Sequence, residues 1–249
     1  MKIFGKDSGK TDTSGEDLWS SIADLMSGLM IIFLFIAIAF MSQINKENEN
    51  MIKEKEAIHQ ILQTYETIKL NIYKDLDKEF KDDLAEWKLD IDPDSLVVTF
   101  REPDVFFTSG SSELKTEFKQ ILHNFFPRYI NIINGKYKAN VSEVRIEGYT
   151  SSEWGENSTT LTSYFGNMEL SQDRTRNVLN YVMGLEELKP HQEWLIEHIT
   201  ANGMSYSHRH YDSMGKENYK KSRRVEFRVI TNAEDIISDI ITEYRGVQK

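Results

Sequence analysis

Residues Leu25–Met41 read LMSGLMIIFLFIAIAFM, without one charged side chain. Nothing else in the chain constrains the fold as much. With Ile22 and Ala23 the run reaches about 20 residues, enough helix to cross a hydrocarbon core of roughly 30 Å. A helix of that length in a soluble core keeps a polar face. This one keeps almost none, so the expectation is an uncleaved transmembrane helix over 18–42. Ala37-Ile38-Ala39 has the small residues of a leader cleavage site. The run is nevertheless longer than the roughly 7–15 residues of a leader's apolar region, and acids as well as lysines flank it. Lys2, Lys6 and Lys10 precede the span and Lys46, Lys53 and Lys55 follow it, so flanking charge gives no clear orientation.

Outside that run the chain is polar. Its 249 residues carry a net charge of −10 and no cysteine. The acidic balance argues against a nucleic-acid partner, which calls for a basic face. Without cysteine there is no disulfide or thiol chemistry. The sequence holds no nucleophile–base constellation and no phosphate loop, so an enzyme is not expected. His208 and His210, beside Arg209, are too few for a metal site. No metal or cofactor is expected.

Asp24 stands directly before the unbroken apolar run, one turn after Trp19, an interfacial anchor residue. A carboxylate deep in a bilayer costs about 2.5–3.5 kcal/mol on insertion scales, and such a residue usually faces a partner helix or a water-filled path. A flanking acid in the headgroup layer is the alternative that physics alone leaves open. Ser27 and Gly28, just beyond, allow a second helix to come close.

Residues 43–89 are polar, lack proline and glycine, and read as a helical linker. Ile44, Met51, Ile58, Tyr65 and Ile72 recur every seven residues. A second stripe is partial: Ile61 and Ile68 fit it, Glu47, Glu54 and Asp75 do not. Two such helices can pair as a short coiled coil; a single solvated helix packing its stripe on the domain is the other reading.

From 90 to 232 the pattern alternates. Ser95–Phe100, Val141–Gly148, Leu195–Ala201 and Arg224–Ile230 read as strands. Helices are expected through Leu114–Phe125 and over Leu170–Met183, with Ser151–Gly166 as a long loop. The fold class is α+β: one N-terminal transmembrane helix, a helical linker and an α/β sandwich with helices over one sheet. A C-terminal helix is expected over 233–249, with Ile236, Ile237, Ile240, Ile241 and Tyr244 on one face; residues 1–17 form an N-terminal tail.

The segment Trp19–Met30 resembles the transmembrane helix of MotB-type stator proteins, whose A-D-[FL]-M-[TS]-x-[LM]-M core holds the ion-binding aspartate. Asp24 matches that aspartate. Residues 90–231 resemble the OmpA-like peptidoglycan-binding domain in five ordered blocks: Phe107–Ser111, Ile146–Thr150, Asn167–Arg174, Ile199–Met204 and Ser222–Glu226. The resemblance implies a pocket for the wall's stem peptide at Tyr149, Thr150, Ser151, Asn167, Leu170, Ser171 and Arg174, with Arg174 meeting a carboxylate. The family usually carries aspartate where this chain has Ser151, and that aspartate faces the peptide's ammonium group. Glu153 is the nearest replacement.

The acidic N-terminal flank Thr11–Trp19 and the segment Thr150–Trp154 are similar to the B component of Zorya anti-phage defence systems. The resemblance implies an inner-membrane, single-pass subunit with a cytoplasmic N-terminus and a periplasmic C-terminal domain. Two copies would sit within a pentameric MotA-like (ZorA-like) membrane subunit, bind peptidoglycan and pass ions, most simply protons, at Asp24. A flagellar MotB-like stator and a passive wall-binding tether are the alternatives.

Overall fold

The computed structural model describes residues 13–101, 106–108, 110–155, 158–233, 236–238 and 241–242. Of the expectations above, residues 1–12 of the N-terminal tail, Ser109, Ile240 and Tyr244 lie outside the described residues, and residues 13–17, expected in that tail, are helical. The described residues fall into two units, divided between Ala57 and Ile58.

Helix α1 runs unbroken over Thr13–Phe80. Within it, residues from Leu18 on include a window of mean hydropathy 2.5, with none of that window buried. Leu25, Met30, Phe33 and Phe35 are all exposed. So much unburied apolar side-chain surface is stable only in lipid or against partner helices.

The second unit opens with the end of the same helix. Ile72, Leu76 and Phe80, at i, i+4 and i+8, are fully buried in the domain core. Ile72, the last position of the heptad stripe, is therefore taken up by its own chain's core, whereas Ile44 and Met51 remain exposed. The core begins well before residue 90, the boundary expected from the change of sequence texture.

Strands β1 (Leu89–Ile91), β2 (Val97–Arg101), β3 (Val141–Tyr149), β4 (Ile199–Gly203) and β5 (Arg224–Thr231) form one sheet in the order β1-β2-β5-β3-β4. All neighbours are antiparallel except β3 and β4, which are parallel. A parallel pair needs a crossover, and helix α3 (Thr160–Met183) supplies it. Helix α2 (Thr116–Lys136) joins β2 to β3 across the residues between them. Val144, Ile146, Val225, Phe227 and Val229 point from the sheet into the core. Phe100 stands at its centre, with ring centroids 5.8, 5.0 and 5.6 Å from Phe118, Phe125 and Phe227. Edge-to-face contacts of this kind add to the gain from burial.

Three sequence expectations are corrected. Leu195–Ala201 is not one strand: helix α4 (Gln192–His198) precedes β4. The loop after β3 ends at Thr159, whose Oγ1 caps α3 by accepting from Thr162 N, so Thr160–Gly166 is helical. Ile236, expected on a packed face, is exposed.

Candidate functional site

The loop after β3 and one face of α3 line an open cavity of about 490 Å³. Close packing of α3 on the sheet makes this possible. Gly148 and Gly203 are register partners on β3 and β4. A Cβ on Gly203 would lie 2.4 Å from Gln172 N, and one on Gly148 would lie 2.7 Å from Thr175 Cγ2. Only glycine lets the helix backbone come this near.

Five of the sequence-expected residues line the cavity: Thr150, Ser151, Asn167, Leu170 and Arg174. Asn167, Leu170 and Arg174 follow helical spacing of three and four, so they share one face of α3. Asn167 is buried and donates from Nδ2 to the Glu153 carbonyl at 3.4 Å, a long bond to the loop. Arg174 is buried; its Nε donates to the Ser111 carbonyl at 2.9 Å, and its guanidinium carbon lies 4.9 Å from the Phe107 ring centroid. Thr150 is only 3 % exposed, and its Oγ1 has no hydrogen-bond partner among the described residues. An unpaired buried hydroxyl facing a cavity is costly unless something in the cavity pairs with it.

Two expected residues stand elsewhere. Along β3 side chains alternate between faces, so Tyr149 points away from the helices, on the side of Glu147. Its hydroxyl donates to Glu147 Oε2 at 2.9 Å, and the Arg224 guanidinium carbon lies 3.7 Å from its ring centroid. Burial, then the neighbouring Glu226 and Glu147 carboxylates, push this phenol far above its ordinary range. Ser171 is wholly buried; its Oγ donates to the Met168 carbonyl and accepts from Ser205 N, both at 3.0 Å. It ties α3 to the segment after β4 and does not line the cavity.

Gly110, Gly155 and three larger residues complete the wall. Glu153 lines the cavity, half-exposed, with Oε2 accepting from Ser151 Oγ at 3.1 Å and from Arg223 at 2.8 Å. Arg223 and Arg224 are consecutive, and strand alternation sends Arg223 to the cavity and Arg224 to the opposite face. Trp154 forms part of the rim. The sequence blocks contained Arg223 without distinguishing it from its neighbour, and Trp154 carried no helical or strand periodicity to mark it. The loop is itself anchored: Glu217 accepts from Ser152 N at 3.1 Å and from Ser152 Oγ at 2.5 Å.

Asp24 belongs to the other unit. Its neighbours one turn before and after are Ser20, Ser21, Ser27 and Gly28, all small. Ser27 returns its hydroxyl to the Ala23 carbonyl at 2.8 Å, which satisfies that hydroxyl within the helix.

Residues 106–223 match the OmpA family. Over 242 residues the chain is 45 % identical to the Zorya protein ZorB of Escherichia coli, covering 97 % of this chain and 99 % of that one. Among solved structures it is similar to a MotB-like protein from Desulfovibrio vulgaris, with 20 % identity, TM-score 0.45 and coverage of 72 % and 98 % of the two chains. It is also similar to the cell wall anchor of the T6SS from Pseudomonas aeruginosa, with 22 % identity, TM-score 0.42 and coverage of 63 % and 96 %.

Proposed function

The chain belongs to the family of the Zorya protein ZorB, and from that premise we propose that it is the ion-conducting, wall-anchored stator-type subunit of an inner-membrane rotary motor in anti-phage defence. One observation carries the reading. A carboxylate on a small-residue face of an unburied apolar helix, Asp24, occurs in the same chain as an OmpA-type domain whose cavity is lined by Arg174 and Glu153.

Two copies cross the membrane within a pentameric MotA-like (ZorA-like) subunit, N-termini in the cytoplasm and domains in the periplasm. Ser20, Ser21, Ser27 and Gly28 let a partner helix approach Asp24. Protons entering from the periplasm neutralise the carboxylate and then leave it. Each loss and return of charge changes its contact with the surrounding ring, and the two contact states drive relative rotation. The heptad stripe pairs the two copies over the stretch before Ile72.

The domain holds this subunit to peptidoglycan. The stem peptide lies in the cavity, where Arg174 pairs with a peptide carboxylate, its planar fork suited to two parallel hydrogen bonds. Asn167, Leu170, Thr150 and Ser151 complete the contact surface. Glu153 supplies the negative charge that Ser151 does not. Ser171 positions α3 through its bond from Ser205 N, and Tyr149, on the opposite face of the sheet, stands outside the contact surface.

The test is phage protection in cells carrying the whole defence operon with Asp24 or Asp24→Asn, with expression and membrane insertion checked. Loss of protection with intact insertion is expected. Full protection by the variant would overturn the ion-driven reading and leave a passive tether, which has no need of an acid at that position.

A further inference from the structure

We propose that Trp154 is a saccharide platform: it stacks against a sugar ring of the glycan strand whose stem peptide occupies the neighbouring cavity. This rests on the wall-binding reading above and adds a second ligand class to it.

Trp154 is 43 % exposed although it lines a concave site. Isolated exposed apolar residues are ordinary. This one is fixed in place. A Cβ on Gly166 would fall 2.2 Å from Trp154 Cζ2 and 2.6 Å from Cε2, so the benzo part of the indole rests on the Gly166 backbone. Gly166 sits inside α3, immediately before Asn167. A glycine within a helix costs about 1 kcal/mol relative to alanine, and here it makes the seat for the ring. Its loop neighbour Glu153 is held by Ser151 and Arg223, and Ser152 is held by Glu217. The ring is therefore set on the cavity rim with part of its surface open to solvent.

Chemistry selects the occupant. A stem peptide is covalently joined to an amino sugar, so a peptide in the cavity brings that sugar to the rim. Pyranose rings carry patches of C–H on their faces, and these pack on aromatic rings, while the hydroxyls around them stay hydrated. A rigid aromatic surface with two torsions loses little entropy in making that contact. The cavity floor, with the unpartnered Thr150 hydroxyl, Arg174 and Glu153, suits the polar peptide; the indole suits the sugar.

The experiment measures binding of the full chain, in detergent, to two probes: a disaccharide-linked stem peptide and the same peptide without sugar. Wild type is expected to prefer the disaccharide-linked probe. Trp154→Ala should weaken that probe by about tenfold, the scale of one aromatic stack, and weaken the free peptide severalfold less. Trp154→Phe should recover part of the loss. Gly166→Ala, which displaces the ring without removing it, should act as Trp154→Ala does. Equal weakening of both probes, or of neither, would overturn the saccharide platform. If wild type bound neither probe, the wall-binding reading itself would fall.

Discussion

Ser151 donates its hydroxyl hydrogen to Glu153 Oε2 at 3.1 Å, and that same oxygen accepts from Arg223 at 2.8 Å. The residue that stands where a carboxylate was expected is thus in direct contact with a carboxylate two positions on. Glu153→Gln removes the charge and keeps the shape. In the full chain it should weaken binding to wall fragments with a free ammonium group by about tenfold, as for one charge-assisted hydrogen bond. Adding Ser151→Asp to that variant should restore binding, because the charge returns within one side chain's reach. Undiminished binding by Glu153→Gln would remove Glu153 from the site.

Arg174 tests the other end of the cavity. Its Nε is committed to the Ser111 carbonyl and its plane to the Phe107 ring. Lysine cannot reproduce both a planar stack and a fork of donors. Arg174→Lys should therefore behave nearly as Arg174→Ala in sedimentation with purified cell walls. Each should cost about 2 kcal/mol of binding, about thirtyfold in affinity. A lysine variant that sediments like wild type would reduce the role of Arg174 to a point charge.

The sequence and the structure agree where periodicity is strong. Val225, Phe227 and Val229 on β5, and Phe118, Leu122 and Phe125 on α2, have the buried faces that spacing of two and of three to four implies, whereas Leu114, expected in that helix, is buried ahead of it in a bridge to Phe107. The site residues on α3 are marked by the motif resemblance and not by periodicity: on spacing alone Arg174 reads as a solvated helix residue. Tyr149 belongs to a block of consecutive motif residues, which strand alternation divides between two faces. The extra turns of α3 were hidden because Thr160–Gly166 contains no apolar face to bury; Leu161 and Phe165 are exposed. The cap at Thr159 was the only local signal. The end of α1 was missed for another reason. Ile72, Leu76 and Phe80 lie among charged residues, and Ile72 also fits the seven-residue stripe of the linker, which masks the four-residue spacing.

The position of those three residues predicts where the domain can be cut. Phe80 is fully buried, with ring centroids 5.0 Å from Phe125 and 6.4 Å from Trp87, and the Arg128 guanidinium carbon lies 4.7 Å from its ring centroid. Arg128 also bonds Glu79 at 2.7 Å and Asp83 at 2.9 Å. A fragment starting at residue 65 should unfold cooperatively. One starting at residue 90 leaves the space of five core side chains, Ile72, Leu76, Phe80, Trp87 and Leu89, empty and should be markedly less stable. In the longer fragment Phe80→Ala should cost about 3–5 kcal/mol, the usual range for a buried aromatic. Chemical denaturation of the two fragments and the variant measures both effects; equal stability would place the domain boundary back near residue 90.

The same junction has a pH signature with two arms. Asp75, on α1, accepts from the Tyr137 hydroxyl at 2.6 Å and from the Lys136 ammonium at 3.0 Å. The Tyr137 bond first, then the lysine, hold this carboxyl below its ordinary value of 3.8. Burial first, then the bond to Asp75, hold the Tyr137 phenol above its ordinary value of 10.0. A depressed carboxyl stabilises the fold above its unfolded value and loses that contribution as pH falls through its folded value. A raised phenol does the reverse: its contribution is complete below 10.0 and is lost as pH rises beyond it. The domain should therefore have a stability plateau that Asp75 helps to end on the acid side and Tyr137 on the alkaline side. Asp75→Asn should cost about 1 kcal/mol at pH 7, since the pair is partly exposed, and the difference from wild type should vanish below the acid edge. Tyr137→Phe should shrink the Asp75-dependent acid arm, leaving the part that Lys136 supports, and remove the phenol's alkaline loss. Thermal unfolding of the domain from pH 2.5 to 11 reads all three curves. An Asp75→Asn curve parallel to wild type throughout would mean that this carboxylate has the same proton affinity folded and unfolded, and that the bond to Tyr137 does not couple α1 to the domain.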